Sequence, residues 1–416
     1  MWPTEGVFFY AWNYPFTRPG KMLIAGIAVS ALTGAVSKEA PIYQLCVALI
    51  LLELVASAVG SLLRWWCVFG WTRLSITGRL PERVSVGQPV SGTFTITNSG
   101  WMPTYDLSLA CLRPPASWKS SPSPEIAAHL GGGESVELTV RLTPLQRGLF
   151  TLPPLRLFTT FPFNLFRNEL GRRAAEAILV LPWFPPLTRL ELEVGNRYQP
   201  GGLALTSEIG ESPEYIGNRE YVPGDAARRI DFRSWARLTK PVVKEYQEEY
   251  YGRIALLLDT YIAPHRKPAR TGFPDLEAAV SLAAAAADAL SRGEYVIDIF
   301  AAGPELHIFR SGRHTAHFEN VLEILACVGP CRDDPLDKVG PPLLGELARI
   351  STIVCVFLDW DAARQQLVRV ALEAGCSVKI LVVRDGPTTV PIDQSSGIDL
   401  TQYPPHQITT GGLEAI

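Results

Sequence analysis

The sequence predicts a multidomain protein with three parts: a two-helix transmembrane hairpin, an all-β immunoglobulin-like sandwich and a Rossmann-like α/β domain. Three observations predict it. Two apolar runs separated by four residues lie near the N-terminus, period-two alternation broken by turn residues runs from about residue 72 to 181, and apolar strands alternate with helical runs from residue 253 onward. At 416 residues the chain also exceeds the size at which a single hydrophobic core stops growing. The expected boundaries are an aromatic interfacial segment over 1–21, the hairpin over 22–63, the sandwich over 72–181, a linker over 182–252 and the α/β domain over 253–416.

The hairpin rests on the runs MLIAGIAVSALTGAVS, from Met22 to Ser37, and IYQLCVALILLELVASAVGSLL, from Ile42 to Leu63. The four residues between them join only antiparallel helices. The second run is long enough for a hydrocarbon core of about 30 Å, and the first is marginal. Trp2, Phe8, Phe9, Tyr10, Trp12, Tyr14 and Phe16 precede the first run, a composition suited to a membrane interface and unlike a cleaved signal peptide. Arg18 and Lys21 lie before the first helix, and Arg64, Arg73, Arg79 and Arg83 follow the second, whereas the turn holds Lys38 beside Glu39. The positive-inside rule then predicts a multi-pass inner-membrane protein with both termini in the cytoplasm. Glu53 within the second run has no basic partner in the neighbouring helix and reads as a helix contact or a protonated acid.

Lys+Arg 38 against Asp+Glu 41 gives a formal charge of −3, with no cation excess to neutralise a phosphate backbone, so nucleic acid is not an expected partner. Membrane lipid and other proteins are. The 7 cysteines are odd in number and sit mostly in apolar stretches, which reads as reduced, buried thiols. Cys327 and Cys331, even with His314 and His317 nearby, lack a second ligand pair at zinc spacing.

In the sandwich, TRLSITGRL, VSVGQPVSGTFTITNSG and SVELTVRLTP alternate as half-buried strands do, and Ala177 to Leu181 is the expected final strand. Gly131, Gly132 and Gly133 read as a hairpin loop, since no Lys-Ser or Lys-Thr follows at phosphate-loop spacing. In the α/β domain RIALLLD, YVIDIFAAG, ELHIFRSG, STIVCVFLD and CSVKILVVRD are strands, the last of these closing the sheet. DLEAAVSLAAAAADALSRG, FENVLEILACVG and DAARQQLVRVALEAG are helices. That alternation predicts a largely parallel sheet, with ligands expected at the carboxyl ends of its strands near Asp259 and Asp359.

The linker has the most unusual composition. GNREYVPGDAARRIDFRSWARLTKPVVKEYQEEY, from Gly217 to Tyr250, interleaves Arg219, Arg228, Arg229, Arg233 and Arg237 with Glu220, Asp225 and Asp231, around a Pro223-Gly224-Asp225 turn. The bland account is a network of arginine–carboxylate pairs that clamps the segment onto the α/β domain.

This segment resembles the signature of the bacterial family known as domain of unknown function 58, R-E-Y-x-P-G-D followed by R-x-I-D-W and A-R. Arg219, Glu220, Tyr221, Pro223, Gly224, Asp225, Arg229, Ile230, Asp231, Ala236 and Arg237 stand where the pattern puts them. Phe232 replaces the usual Trp and Trp235 a small residue, swaps that suggest local repacking. RGLFTLPPLRLFTTFPFNLFR, from Arg147 to Arg167, is similar to the family's Arg-Gly strand and Pro-Phe-Gly-Leu-Phe stretch, with Asn164 in place of Gly.

The resemblance implies a terminal domain of the von Willebrand factor type A kind, whose members often bind a divalent metal through D-x-S-x-S, a Thr and a further Asp. Here Asp259 survives while Tyr261 and Ala263 replace both serines, leaving a degenerate set of Asp259, Asp359 and Asp361 that would hold Mg²⁺ weakly and no other cofactor. It also implies a membrane-anchored, cytosol-facing adaptor, not an enzyme, that binds proteins together with a MoxR-type AAA+ ATPase in the assembly or maturation of complexes. The alternatives are a metal-dependent hydrolase built on Asp259 and Asp359, for which no nucleophile elbow, zinc helix or phosphate loop is present, and a ligand-binding receptor using the same domain.

Overall fold

The computed structural model describes residues 16–37, 40–68, 71–112, 114–120, 124–174, 176–192, 215–223, 225, 227, 230–246, 253–269, 271–292, 296–302, 306–310, 317–392, 399–413 and 415–416. The chain forms two compact units: Met1–Trp183 with Lys267–Pro274 and Leu322–Cys327, and Phe184–Arg266 with Asp275–Val321 and Val328–Ile416.

The first unit opens with helices α1 (Arg18–Ser37) and α2 (Ala40–Val68). Both outrun the apolar runs that predict them: α1 begins before Met22, and α2 continues past Leu63 to about 43 Å at 1.5 Å per residue. Among the described residues one stretch, Pro41–Val59 of α2, is long and apolar enough to cross a membrane, so the structure supports one candidate span. Leu45, Val47, Ile50, Leu51, Leu54 and Val55 are exposed along α2, while Cys46 is buried with its Sγ 3.7 Å from the Ile27 carbonyl oxygen of α1.

Of the aromatic interfacial segment, residues 1–15 lie outside the described residues, and Phe16 packs on Phe166 with ring centroids 5.1 Å apart. Thr17 then ties α1 to the loop at Asn164 and Leu165, donating from its hydroxyl to both carbonyls and from its amide to Leu165 O at 3.0 Å. Asn164 has φ 54°, the left-handed region that favours glycine, which explains how Asn fills a position where the resemblance expects Gly.

Two four-stranded antiparallel sheets follow. One runs β1 (Leu74–Gly78), β3 (Val90–Asn98), β7 (Ser135–Pro144), β5 (Trp118–Ser120); the other runs β10 (Asn168–Arg173), β9 (Leu155–Thr159), β4 (Thr104–Ala110), β6 (Ile126–Leu130). Alternate residues of both turn inward, and Phe94, Ile96, Leu107, Leu109, Leu138 and Leu157 share one core. A third small sheet joins β2 (Arg83–Ser85), β11 (Ala177–Leu181) and β8 (Gly148–Thr151). The three glycines do not close a hairpin: they carry the chain from β6 in one sheet to β7 in the other. Their sequence meets a packing need, because a Cβ on Gly132 would lie 2.8 Å from the carbonyl oxygens of Gly100 and Trp101.

The second unit contains a two-stranded hairpin, β12 (Tyr215–Glu220) with β13 (Val242–Tyr246), and short helix α3 (Phe232–Leu238) between them. Its main sheet has six strands in the order β16 (Leu306–Arg310), β15 (Val296–Ala302), β14 (Arg253–Leu258), β17 (Thr352–Phe357), β18 (Ser377–Val383), β19 (Asp399–Tyr403). All neighbours are parallel except β15 and β16. Thus CSVKILVVRD is not the last strand, since Asp399–Tyr403 adds an edge beyond it.

Among the described residues, helices α4 (Pro274–Arg292), α5 (His317–Cys327), α6 (Leu336–Glu346), α7 (Ala362–Glu373) and α8 (Pro405–Thr409) complete the secondary structure. The alanines from Ala283 to Ala287 in α4 are fully buried, their small side chains suiting close packing. From β14 the chain moves to β15 on one side and later returns to β17 on the other, so the topological switch point lies between β14 and β17.

Candidate functional site: an arginine-filled sheet edge and an exposed signature hairpin

Strands β14 and β17 are continuous apolar runs that end at the switch point, and each is followed by an aspartate: Leu258 by Asp259, Leu358 by Asp359. Asp361 then caps α7, accepting the Arg364 amide at 2.9 Å. The three expected metal ligands therefore do reach one edge of the sheet. They do not converge on an open position: Arg364, on the first turn of α7, is buried against Asp259 and Asp361, and Asp359 meets other donors.

Arg364 Nε and Nη2 reach Asp259 Oδ2 and Oδ1, each at 3.2 Å, and Nη1 reaches Asp361 at 2.7 Å and Asp334 at 3.1 Å. The Arg364 side chain is 2% exposed and that of Asp259 1%. The guanidinium also lies 5.8 Å from the centroid of the Tyr261 ring, the residue that replaces the first motif serine. Burial works against the charge on Arg364, but the attraction of Asp259, Asp334 and Asp361 outweighs it and raises its pKa further above the usual arginine value. Burial pushes the Asp259 carboxyl up, opposed by Arg364 and by the amides of Tyr261 and Leu358.

An ionised carboxylate offers about four lone-pair positions. Asp259 accepts from Arg364 Nε and Nη2, Tyr261 N at 3.0 Å and Leu358 N at 3.2 Å, which uses all of them. Asp359 belongs to a separate cluster and is equally filled, by Trp360 N at 2.8 Å, Thr389 N at 2.9 Å, Thr389 Oγ1 at 2.6 Å and Arg384 Nη1 at 2.6 Å. Burial works to raise the Asp359 carboxyl, and those donors outweigh it and lower its pKa. The residues present do not fit a divalent ion bridging Asp259 with Asp359 or Asp361. Among the described residues no group of three or more His, Cys, Asp or Glu is placed to hold a metal.

The sequence reading missed Arg364 and Asp334. A signal for the first existed: Arg364, Val368 and Ala371 follow i, i+4, i+7 spacing, so the buried stripe of α7 begins with an arginine. Asp334 sits in a loop with no periodicity to betray it.

Within the signature segment several described charges pair with one another. Arg219 makes a bidentate pair with Asp225 at 2.8 and 2.7 Å, and Asp225 also accepts the Val222 amide at 2.9 Å, which fixes the Pro223 turn. Glu220 pairs with Lys240 at 3.1 Å. Asp231 caps α3, accepting the Ser234 hydroxyl at 2.7 Å, the Asn218 amide group at 3.1 Å and the amides of Arg233 and Ser234. The Ser234 hydroxyl above all, with Asn218 and the two amides, lowers its pKa to about 2 against the opposing effect of burial. These contacts join residues 218–240 to one another, because a hairpin with a helical turn between its strands brings its own charges together. Arg237 is exposed in the last turn of α3, where a cation suits the helix dipole. Tyr221 is half-buried, its amide donating to Pro241 O at 3.0 Å, and Pro223 and Ala236 are exposed. Gly224 and Arg229 lie outside the described residues.

The two departures from the signature pattern meet on the surface and do not repack a core. Phe232, 67% exposed, stacks on Trp235, 38% exposed, with centroids 6.0 Å apart and planes at 23°. Leu238 and Val222 are also exposed.

Compared with solved structures, the chain is similar over 27% of its length to the CARDB domain of a Pyrococcus furiosus protein, covering 96% of that domain at 16% identity with a TM-score of 0.17. It is similar over 26% to a β-glucosidase from Listeria innocua, covering 16% of that enzyme at 14% identity with a TM-score of 0.17. Scores this low assign no shared fold. Among curated proteins it is 22% identical over 214 residues to the uncharacterized protein YeaD of Bacillus subtilis, a match that covers 51% of this chain and spans 50% of that protein. Residues 217–384, from the signature hairpin through the switch-point edge to the end of β18, match the family model described as protein of unknown function DUF58.

Proposed function

We propose that this chain is a membrane-anchored, cytosol-facing adaptor that binds other proteins and works with a MoxR-type AAA+ ATPase in the assembly or maturation of complexes. The observation that carries the reading is the exposed Phe232–Trp235 stack on a hairpin whose ionic pairs hold its own shape. Exposed aromatics beside Arg233 and Arg237 have the composition of a binding surface, where aromatic and arginine side chains carry most of the affinity. The ATPase partner rests on the resemblance of the signature segment and on the match over 217–384.

The anchor rests on α2, whose apolar side chains would each forgo about 1.5–3 kcal/mol if left in water. With α1 it forms the membrane hairpin of this reading, with both termini cytoplasmic. On the same resemblance the paired sheets of the first unit are read as an immunoglobulin-like sandwich, and the six-stranded unit as a von Willebrand factor type A-like domain. A hydrolase is disfavoured because Asp259 and Asp359 already accept four donors each, leaving neither a general base nor a metal ligand.

The test is co-purification of the full-length chain from native membranes in mild detergent. An AAA+ ATPase is expected with the wild type and at least about tenfold less with Phe232→Ala/Trp235→Ala, a difference of about 1.4 kcal/mol in binding. Failure of the wild type to retain such an ATPase with either ATP or ADP rejects the partner. A reporter fused after Ile416 that is active only outside the cytoplasm rejects the topology.

A further inference from the structure

We infer that Arg364 is the permanent cation of the switch-point edge, holding the place a divalent metal would need, so that whatever binds at this edge is bound without a bridging metal. The carboxyl ends of β14 and β17 are where an open α/β sheet receives its ligands. Three carboxylates from three different segments, Asp259 after β14, Asp334 before α6 and Asp361 at the start of α7, point at one centre. That centre is the Arg364 guanidinium.

A divalent ion works in such a place by neutralising the carboxylates and keeping a coordination position for a partner's oxygen. Arg364 performs the first task and not the second. All its carboxylate contacts lie at 2.7 to 3.2 Å, and at 2% exposure it presents no open face. Asp259, with four donors on its two oxygens, has no lone pair left for an incoming ion. Guanidinium does not lose its proton in proteins, so this neutralisation is independent of metal supply and of pH in the physiological range. The edge is thus a preassembled surface whose contacts with a partner are made by the side chains around Arg364.

The test is a Mn²⁺ titration of the full-length chain in detergent micelles, with the free aquo ion read by electron paramagnetic resonance. The wild type is expected to show no saturable site up to about 1 mM, the weak end of the range for protein sites of divalent ions. Arg364→Ala, which vacates the centre, is expected to gain one bound equivalent, and Asp259→Asn in the same background is expected to remove it. One equivalent bound by the wild type and lost in Asp259→Asn overturns the inference, and so does a folded Arg364→Ala that binds none. An Arg364→Ala chain that folds only when Mn²⁺ is supplied supports it. If that variant does not fold under either condition, the wild-type titration decides alone. Binding of Mn²⁺ is read without any partner protein, so its outcome is separate from that of the co-purification.

Discussion

Two bidentate arginine–aspartate pairs sit in opposite surroundings, and the difference predicts their worth. Arg364 and Asp259 are 2% and 1% exposed, whereas Arg219 of the signature hairpin is 44% exposed against Asp225. Removing one partner of a buried pair costs about 3–5 kcal/mol because the other charge is left in a low-dielectric interior, while an exposed pair is worth about 0–1 kcal/mol. For a unit of this length about 2–4 °C of melting temperature accompanies each kcal/mol, so Arg364→Met should lower the transition by roughly 6–20 °C and Arg219→Ala by less than about 4 °C.

The two sides of the buried pair should also differ. Asp259→Asn leaves Arg364 with Asp334 and Asp361, so its cost should fall toward 3 kcal/mol, whereas Arg364→Met strands Asp259 with two backbone donors and should approach about 5 kcal/mol. Asp259→Asn/Arg364→Met together should cost less than the sum of the two, since the buried Asp259 charge that Arg364→Met strands is gone. Thermal melts of the full-length chain in detergent, followed by near-ultraviolet circular dichroism, supply the four numbers. Equal shifts for Arg364→Met and Arg219→Ala, or a double variant that equals the sum of the singles, would refute the reasoning.

Asp231 holds its pKa at about 2, below the unfolded value of about 3.9, so its contribution is complete above pH 4 and is lost as pH falls through 2. Amide protection at Arg233 and Ser234 should therefore fall between pH 4 and 2 in the wild type, and Asp231→Ala should show the low protection already at neutral pH; unchanged protection in the variant contradicts the cap. Gly132→Ala should destabilise the first unit by about 1–3 kcal/mol, since its Cβ would press on the carbonyls of Gly100 and Trp101, and denaturant melts measure it. Burial pushes the Cys355 thiol up and encloses it, while Cys327 is exposed, so iodoacetamide should label Cys327 in the native chain and Cys355 only after unfolding, as peptide mapping will read.

The parallel strands were legible because strands covered on both faces must be apolar throughout, and RIALLL and TIVCVF have no other soluble home. Helix α4 was legible from its alanine run and the glycine beyond it. Helix α6 was not, since Gly340, Pro341 and Pro342 are strong helix breakers that its buried face, Val339 and Leu343, overrides. Strand β19 reads DLTQY, a half-polar edge without the apolar signature of its neighbours. The three-glycine turn misled for another reason: alternation on both flanks fits a hairpin and a crossover between sheets equally, and only pairing distinguishes them.

The candidate site shows the same limit in sharper form. Spacing brought Asp259, Asp359 and Asp361 to one sheet edge, because residues that follow adjacent parallel strands must emerge side by side. Whether carboxylates at such an edge bind an ion depends on which donors reach them first, and those donors come from Arg364 and from Arg384 with Thr389, residues with no motif around them. A lost pair of motif serines therefore says less than the gain of one buried guanidinium. The serines could be replaced by water on a hydrated ion, but a cation already bonded to three carboxylates excludes a second cation by charge as well as by space. On this argument a chain that kept the serines and also carried an arginine at the third position of α7 would still resist metal, and one that lost both would regain a use for it.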